Sequence, residues 1–204
     1  PHTTIIMNVQ EATTRRLPDL KERHLPENCR ETINTILKET YGYEQFRNLE
    51  IYDDLSKGKE KLCISQGQLI ENVILEAEKA WKGETQVDNI LLTAPTGSGK
   101  SLLFQLPAIY LGKEYNLLTI VVSPLKALIV DQVESLQELG YTRVAYASSD
   151  LSPEQKMEVY RQVREGEIDL FYLSPELLLS YDIKHFVGER RIGLLAVSYT
   201  HLTL

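Results

Sequence analysis

Two cysteines, two methionines and one tryptophan in 204 residues leave little room for several kinds of chemistry. Cys29 and Cys63 stand far apart and fit no metal-ligand or redox spacing, so both are expected to be idle or buried thiols of a reducing cytoplasm. No apolar run approaches the length of a membrane span. The start, PHTTIIMNVQEATTRR, lacks a basic stretch followed by an apolar core, so it does not read as a secretory signal. An initiating Met is also missing, from which we expect a cut or processed N-terminus. Internal repeats and low-complexity tracts are absent. So is an excess of positive charge: the net charge is −7 and the pI about 5.2. Composition therefore gives no support for a polyanion partner, although a local basic surface would suffice for one. The chain does have 43% hydrophobic and 25% charged residues, ordinary for a globular protein. Its length allows one large domain, or one with an appendage.

The chain changes character along its length. Residues 1–63 are polar and mixed in pattern, and read as an N-terminal appendage, mostly helical or irregular. Within it RETINTILKETYGY can form a helix with Ile33, Ile36, Leu37 and Tyr41 on one face. The basic run SKGKEK at 56–61 reads more readily as a solvated loop than as a phosphate contact. From Gln68 to Trp81 the spacing of Leu69, Val73, Glu76 and Ala80, with an apolar stripe widened by Ile70, Ile74 and Ala77, predicts an amphipathic helix. Five short apolar runs follow: Ile90–Leu92, Thr119–Val122, Arg143–Tyr146, Asp169–Leu173 and Gly193–Val197. Helices are expected between them near 101–111, 125–139, 153–165 and 175–179, the third opened by a capping Ser152 and by Pro153. Continuous apolar strands alternating with helices predict an α/β domain with a mainly parallel sheet covered on both faces. In such a sheet ligands gather at the C-terminal ends of the strands.

One of those ends carries the most specific signal in the chain. ILLTAPTGSGKSLLF at 90–104 is an apolar strand, a Gly-rich turn and a helix start. Backbone N–H groups in such a loop converge on one point, and the helix N-terminus adds partial positive charge. Lys100 would reach the β- and γ-phosphates of a nucleoside triphosphate, and the Ser101 hydroxyl would ligate its Mg²⁺. Gly97 and Gly99 are needed because a Cβ would keep the backbone off the phosphates. The strict pattern has Gly where this chain has Ala94. The bland alternative is a Gly/Ser turn, but Lys-Ser at a helix start has no structural need.

Two further strand ends share a grammar. Ser123-Pro124-Leu125-Lys126 and Ser174-Pro175-Glu176 each place a small hydroxyl and a helix start behind an apolar strand. Two such helix N-termini on one edge could hold successive phosphates of a nucleic-acid strand. Ordinary strand-to-helix turns would look alike one at a time; the pair behind a phosphate loop favours the functional reading.

From about Ile64 to Val197, roughly two thirds of the chain, the sequence resembles the first RecA-like motor lobe of superfamily 2 helicases, and most of all the RecQ family of DNA helicases. APTGSGKSLLFQLPA is similar to helicase motif I, VVSPLKALIVDQV to motif Ia, and AYASSDLSPEQKMEVYRQVREGEIDLFYLSPELLL to the passage running into motif Ib. The resemblance implies a RecA-like P-loop NTPase fold and ATP-driven movement on DNA, usually 3′ to 5′. It implies that Pro95, Thr96, Gly97, Ser98 and Gly99 form the phosphate cradle, that Lys100 and Ser101 hold phosphate and Mg²⁺, and that Ser123, Pro124, Lys126, Ser174 and Pro175 face the DNA backbone. Such contacts follow phosphate spacing rather than sequence.

Three departures matter. The family has an adenine-reading Gln ahead of motif I, in an element that also contains Gly-Tyr and Phe-Arg. YGYEQFR at 41–47 looks like its start, yet a Gln follows only at Gln66 or Gln68. Either an insertion splits the element or the first match is chance; Gln66 is the preferred candidate. The family also continues its fifth strand into Asp-Glu-x-His, whose carboxylates bind Mg²⁺ and position water. Here Gly193-Leu194-Leu195-Ala196 runs on into VSYTHL, which has no acidic pair. A transposon-end sequencing adapter would encode that tail, so residues 198–204 are expected to be non-native and the chain to leave its natural sequence after Ala196. Finally, the second motor lobe is missing. The alternatives left open are a non-catalytic nucleotide-binding module and a phosphate-loop NTPase of another class.

Overall fold

The computed structural model describes residues 3–7, 25–52, 61–92 and 97–198. Its elements, in chain order, are β1 (Thr3–Met7), α1 (Glu31–Tyr41), β2 (Asn48–Tyr52), β3 (Lys61–Ser65), α2 (Gln66–Trp81), β4 (Ile90–Leu92), α3 (Leu102–Tyr115), β5 (Leu118–Val122), α4 (Lys126–Glu138), β6 (Val144–Ala147), α5 (Pro153–Arg164), β7 (Leu170–Leu173), α6 (Pro175–Ser180), α7 (Ile183–Val187) and β8 (Ile192–Ser198). Six strands form one sheet in the order β4-β1-β8-β5-β7-β6, and every pairing in it is parallel.

The sequence dictates this layering. β5 is LTIVV and β7 is LFYL, and every residue of both is buried. Strands so apolar on both faces need a helix layer above and below. One face is covered by α1 to α4, whose Ile33, Ile70, Phe104 and Val133 share a core with Val121 and Tyr172. The other is covered by α5, α6 and α7, where Tyr160, Val163 and Phe186 pack on Ile120 and Phe171. α3 lies deepest, buried continuously from Leu103 to Gly112, as expected of a helix that is apolar all round. Two helix starts are fixed locally. Ser152 and Gln155 form a reciprocal capping box before α5, and Ser65 and Gln68 form another before α2.

The expectation of a mostly helical or irregular appendage over 1–63 meets a different arrangement. α1 is present, but β1 lies inside the main sheet, with Ile5 paired to both Ile90 and Ala196. The same segment holds an antiparallel hairpin, with Asn48 opposite Ser65 and Tyr52 opposite Lys61. Residues 53–60, and with them most of the SKGKEK run, lie outside the described residues, as do Tyr199 to Leu204 of the expected non-native tail. Among the described residues no helix is long and apolar enough to cross a membrane.

Candidate functional site

A parallel sheet delivers every βα turn to the same edge, and here that edge gathers the residues singled out from the sequence. The loop after β4 leads to Lys100 and Ser101 at the start of α3. Ser123 follows β5, the Ser148–Asp150 turn follows β6, and Ser174 follows β7. At about 4.8 Å per strand, β5 lies roughly 14 Å and β7 roughly 19 Å across the sheet from β4.

In the Gly-rich loop, Thr93, Ala94, Pro95 and Thr96 lie outside the described residues. The described part has the backbone its composition requires: Gly97 has φ 81° and Gly99 φ 77°, which L side chains adopt with strain. The reason for glycine at 99 goes further than expected. A Cβ there would sit 2.6 Å from Nε2 of Gln66, so a side chain on Gly99 would first strike the protein itself. Ser98 Oγ is buried without a hydrogen-bond partner among the described residues. Burial holds the Lys100 ammonium below the ordinary lysine range, as expected of a cation partly taken out of water. An unpaired hydroxyl, a partly desolvated cation and two left-handed glycines suit a triphosphate, which would bring oxygens for all three. Among the described residues no group of three or more His, Cys, Asp or Glu could hold a metal ion.

Gln66 is 1% exposed and lies against this loop. Its Nε2 donates to the carbonyls of Ser98, at 3.1 Å, and Gly99, at 3.4 Å. Its Oε1 accepts from the backbone N–H of Arg47 at 3.2 Å, and its own N–H donates to Arg47 O at 2.9 Å. The hairpin β2–β3 thus lies between Arg47 and Gln66 and closes at its base. Gln68 faces elsewhere: its Oε1 accepts from Ser65 N at 3.0 Å and its Nε2 donates to Pro26 O at 3.1 Å.

The two Ser-Pro turns are neighbours. β5 and β7 pair directly, Val122 opposite Leu173, so Ser123 and Ser174 emerge side by side, with Ser123 N donating to Leu173 O at 3.1 Å. The turns differ in detail. Ser174 caps its own helix, accepting from Leu177 N at 3.3 Å, and Pro175 is the first residue of α6. α4 begins only at Lys126, after Leu125, with no side-chain cap. The expectation of two equivalent open helix N-termini is therefore corrected: α4 has the open start, whereas α6 spends part of its first turn on Ser174. Lys126 is exposed and held by Asp150 at 2.8 Å and Ser149 Oγ at 2.5 Å. The hydrogen bond from Lys126 keeps the Asp150 carboxyl below its usual range. These partners lie 23 and 24 residues downstream and carry no motif of their own, so the sequence gives no signal for them.

A polar brace crosses the core beneath the edge. Tyr41 OH donates to Gln105 Oε1 at 3.0 Å, and Gln105 Nε2 donates to Tyr172 OH at 3.2 Å. It joins α1, the helix behind the phosphate loop and the strand that ends at Ser174. Gln105 serves both tyrosines because it offers an acceptor and a donor on one side chain.

A family model described as DEAD/DEAH box helicase matches residues 68–199. The ATP-dependent DNA helicase RecQ of Synechocystis is 32% identical over 81% of this chain and 28% of its own length. That of Bacillus subtilis is 30% identical over 82% of this chain and 23% of its own. This chain thus spans about a quarter of the length of these curated relatives. Among solved structures, the DUF1998 helicase MrfA bound to DNA overlaps 80% of this chain and 19% of its own, at 21% identity and a TM-score of 0.47.

Proposed function

The chain belongs to the DEAD/DEAH box helicase family, and on that premise we propose that it carries the ATP-binding lobe, residues 64–197, of a RecQ-like motor that moves on DNA in the 3′ to 5′ direction. One observation carries the reading. The phosphate-loop residues Gly97 to Ser101 and the two Ser-Pro turns leave the same edge of one parallel sheet. A triphosphate site and a backbone-binding ledge would then be joined by the strands between them.

The roles follow from chemistry. When bound, ATP supplies the energy of phosphoanhydride hydrolysis. Lys100 neutralises phosphate charge, the loop N–H groups hold phosphate oxygens, and the Ser101 hydroxyl is placed for Mg²⁺. Ser123, beside Pro124, offers a hydroxyl, whereas the Ser174 hydroxyl before Pro175 is already engaged by Leu177 N–H and the Glu176 carboxylate. The open start of α4 adds N–H groups, and Lys126 adds a cation. These groups meet phosphates and not base edges, so binding should be indifferent to sequence and sensitive to salt. The net charge of −7 makes this ledge a local feature set against a repulsive whole.

A labelled oligothymidylate, followed by fluorescence anisotropy at low salt, tests the assignment. Combined Ser123→Ala and Lys126→Ala substitution should weaken DNA about tenfold, the loss of roughly one charge contact and one hydrogen bond, while affinity for an ATP analogue stays the same. Lys100→Ala should do the reverse. If the Ser123→Ala, Lys126→Ala variant bound DNA as the unaltered chain does, the ledge would lie elsewhere.

A further inference from the structure

We propose that Gln66 is a positioning residue for the phosphate loop: it holds two loop peptides with their N–H bonds turned toward the triphosphate, and it does not read the base. This rests on the reading of 94–101 as a triphosphate cradle. A carboxamide that recognises adenine must offer the base one donor and one acceptor edge. Both ends of the Gln66 amide are already committed, Oε1 to Arg47 N and Nε2 to the Ser98 and Gly99 carbonyls. The residue is almost wholly buried.

The geometry of the peptide unit explains what this does. In a planar trans peptide the C=O and N–H bonds point opposite ways. The Ser98 carbonyl belongs to the same peptide as the Gly99 N–H, and the Gly99 carbonyl to the same peptide as the Lys100 N–H. Tying the Ser98 carbonyl onto Gln66 therefore turns the Gly99 N–H away from it, and the Gly99 carbonyl is held both by Gln66 and by Leu102 N at 3.2 Å in the first turn of α3. Such a tether is needed because glycines at φ 81° and 77° flank Ser98, and glycine peptides rotate at little cost. The approach is close enough that Gly99 has no room for a side chain against Nε2.

Gln66 is itself held in place at the base of the hairpin. Its N–H and its Oε1 both bond the backbone of Arg47, at the base of the hairpin where Asn48 faces Ser65. The piece that looks like the start of an adenine-reading element, 41–47, thus ends by supporting the phosphate loop through Gln66.

Gln66→Glu is the discriminating variant. It keeps the shape and the acceptor for Arg47 N but removes both donors to the loop. Gln66→Met, which keeps volume without charge, serves as the second variant if the carboxylate perturbs folding. The whole chain would be titrated calorimetrically with Mg²⁺ and, in turn, ATP, GTP and inorganic tripolyphosphate. All three affinities should fall by a similar factor, about tenfold for two lost hydrogen bonds. DNA affinity should stay close to that of the unaltered chain, while the melting temperature of the ligand-free protein should fall in both variants, because each leaves buried polar groups without partners. A loss confined to ATP would show that Gln66 reads the base, and full retention of all three affinities would show that the loop needs no tether; either overturns the proposal. If the unaltered chain bound none of the three ligands, the cradle reading itself would fall first.

Discussion

At the scale of single residues, Arg30 shows how much of the N-terminal attachment is electrostatic. Its guanidinium reaches Glu71 at 2.6 Å, Glu78 at 2.7 Å and the Tyr110 hydroxyl at 2.5 Å, and lies 4.8 Å from the centroid of the Tyr110 ring. Burial alone would raise the Glu78 carboxyl, but hydrogen bonds from Arg30 and Tyr115 outweigh it and hold the group below the ordinary range. A carboxyl depressed in the folded state contributes stability above its unfolded pKa and loses it as pH falls through the folded value. Arg30→Ala would leave two carboxylates close together and largely out of water. We expect a loss of about 3 kcal/mol in urea unfolding at neutral pH, shrinking as the solution is acidified and Glu78 takes up a proton. A loss that did not change with pH would place Arg30's contribution in packing.

At the scale of elements, legibility followed how local the cause was. β4, the loop and α3 could be read because Gly99-Lys100-Ser101 states its chemistry within a few residues. α5 could be read because Ser152, Pro153 and Gln155 fix its start on their own. β1 could not: five residues, TTIIM, become a strand only by pairing with Ile90–Leu92 and Leu194–Ser198, far along the chain. α7 is a single short turn started by Asp182, too brief to show a period. The hairpin was missed because its effect lies at its base, where it brings Arg47 to Gln66. The neighbouring positions of Ser123 and Ser174 likewise depend on the β5–β7 register and not on either motif. The hairpin also gives a prediction. Asn48 and Ser65 are directly paired, so a two-residue Asn-Gly turn could replace Leu49 to Ile64. Triphosphate affinity should stay within about twofold of the unaltered chain, because the Arg47–Gln66 contacts remain. A loss as large as that of Gln66→Glu would mean that the strands themselves support the loop.

At the scale of the whole molecule, one sheet edge carries the phosphate loop and both Ser-Pro turns. The loop after β4 and the turns after β5 and β7 are separated by strand spacing and tied together by the Tyr41–Gln105–Tyr172 brace. Nucleotide binding is the property on which the proposed roles depend. The most direct measurement is calorimetric titration of the 204-residue chain with ATP and Mg²⁺, repeated on Lys100→Ala. The account predicts saturable binding of one nucleotide per chain, weakened at least about tenfold by the substitution. Equal affinity in the two proteins, or no binding in either, would contradict it.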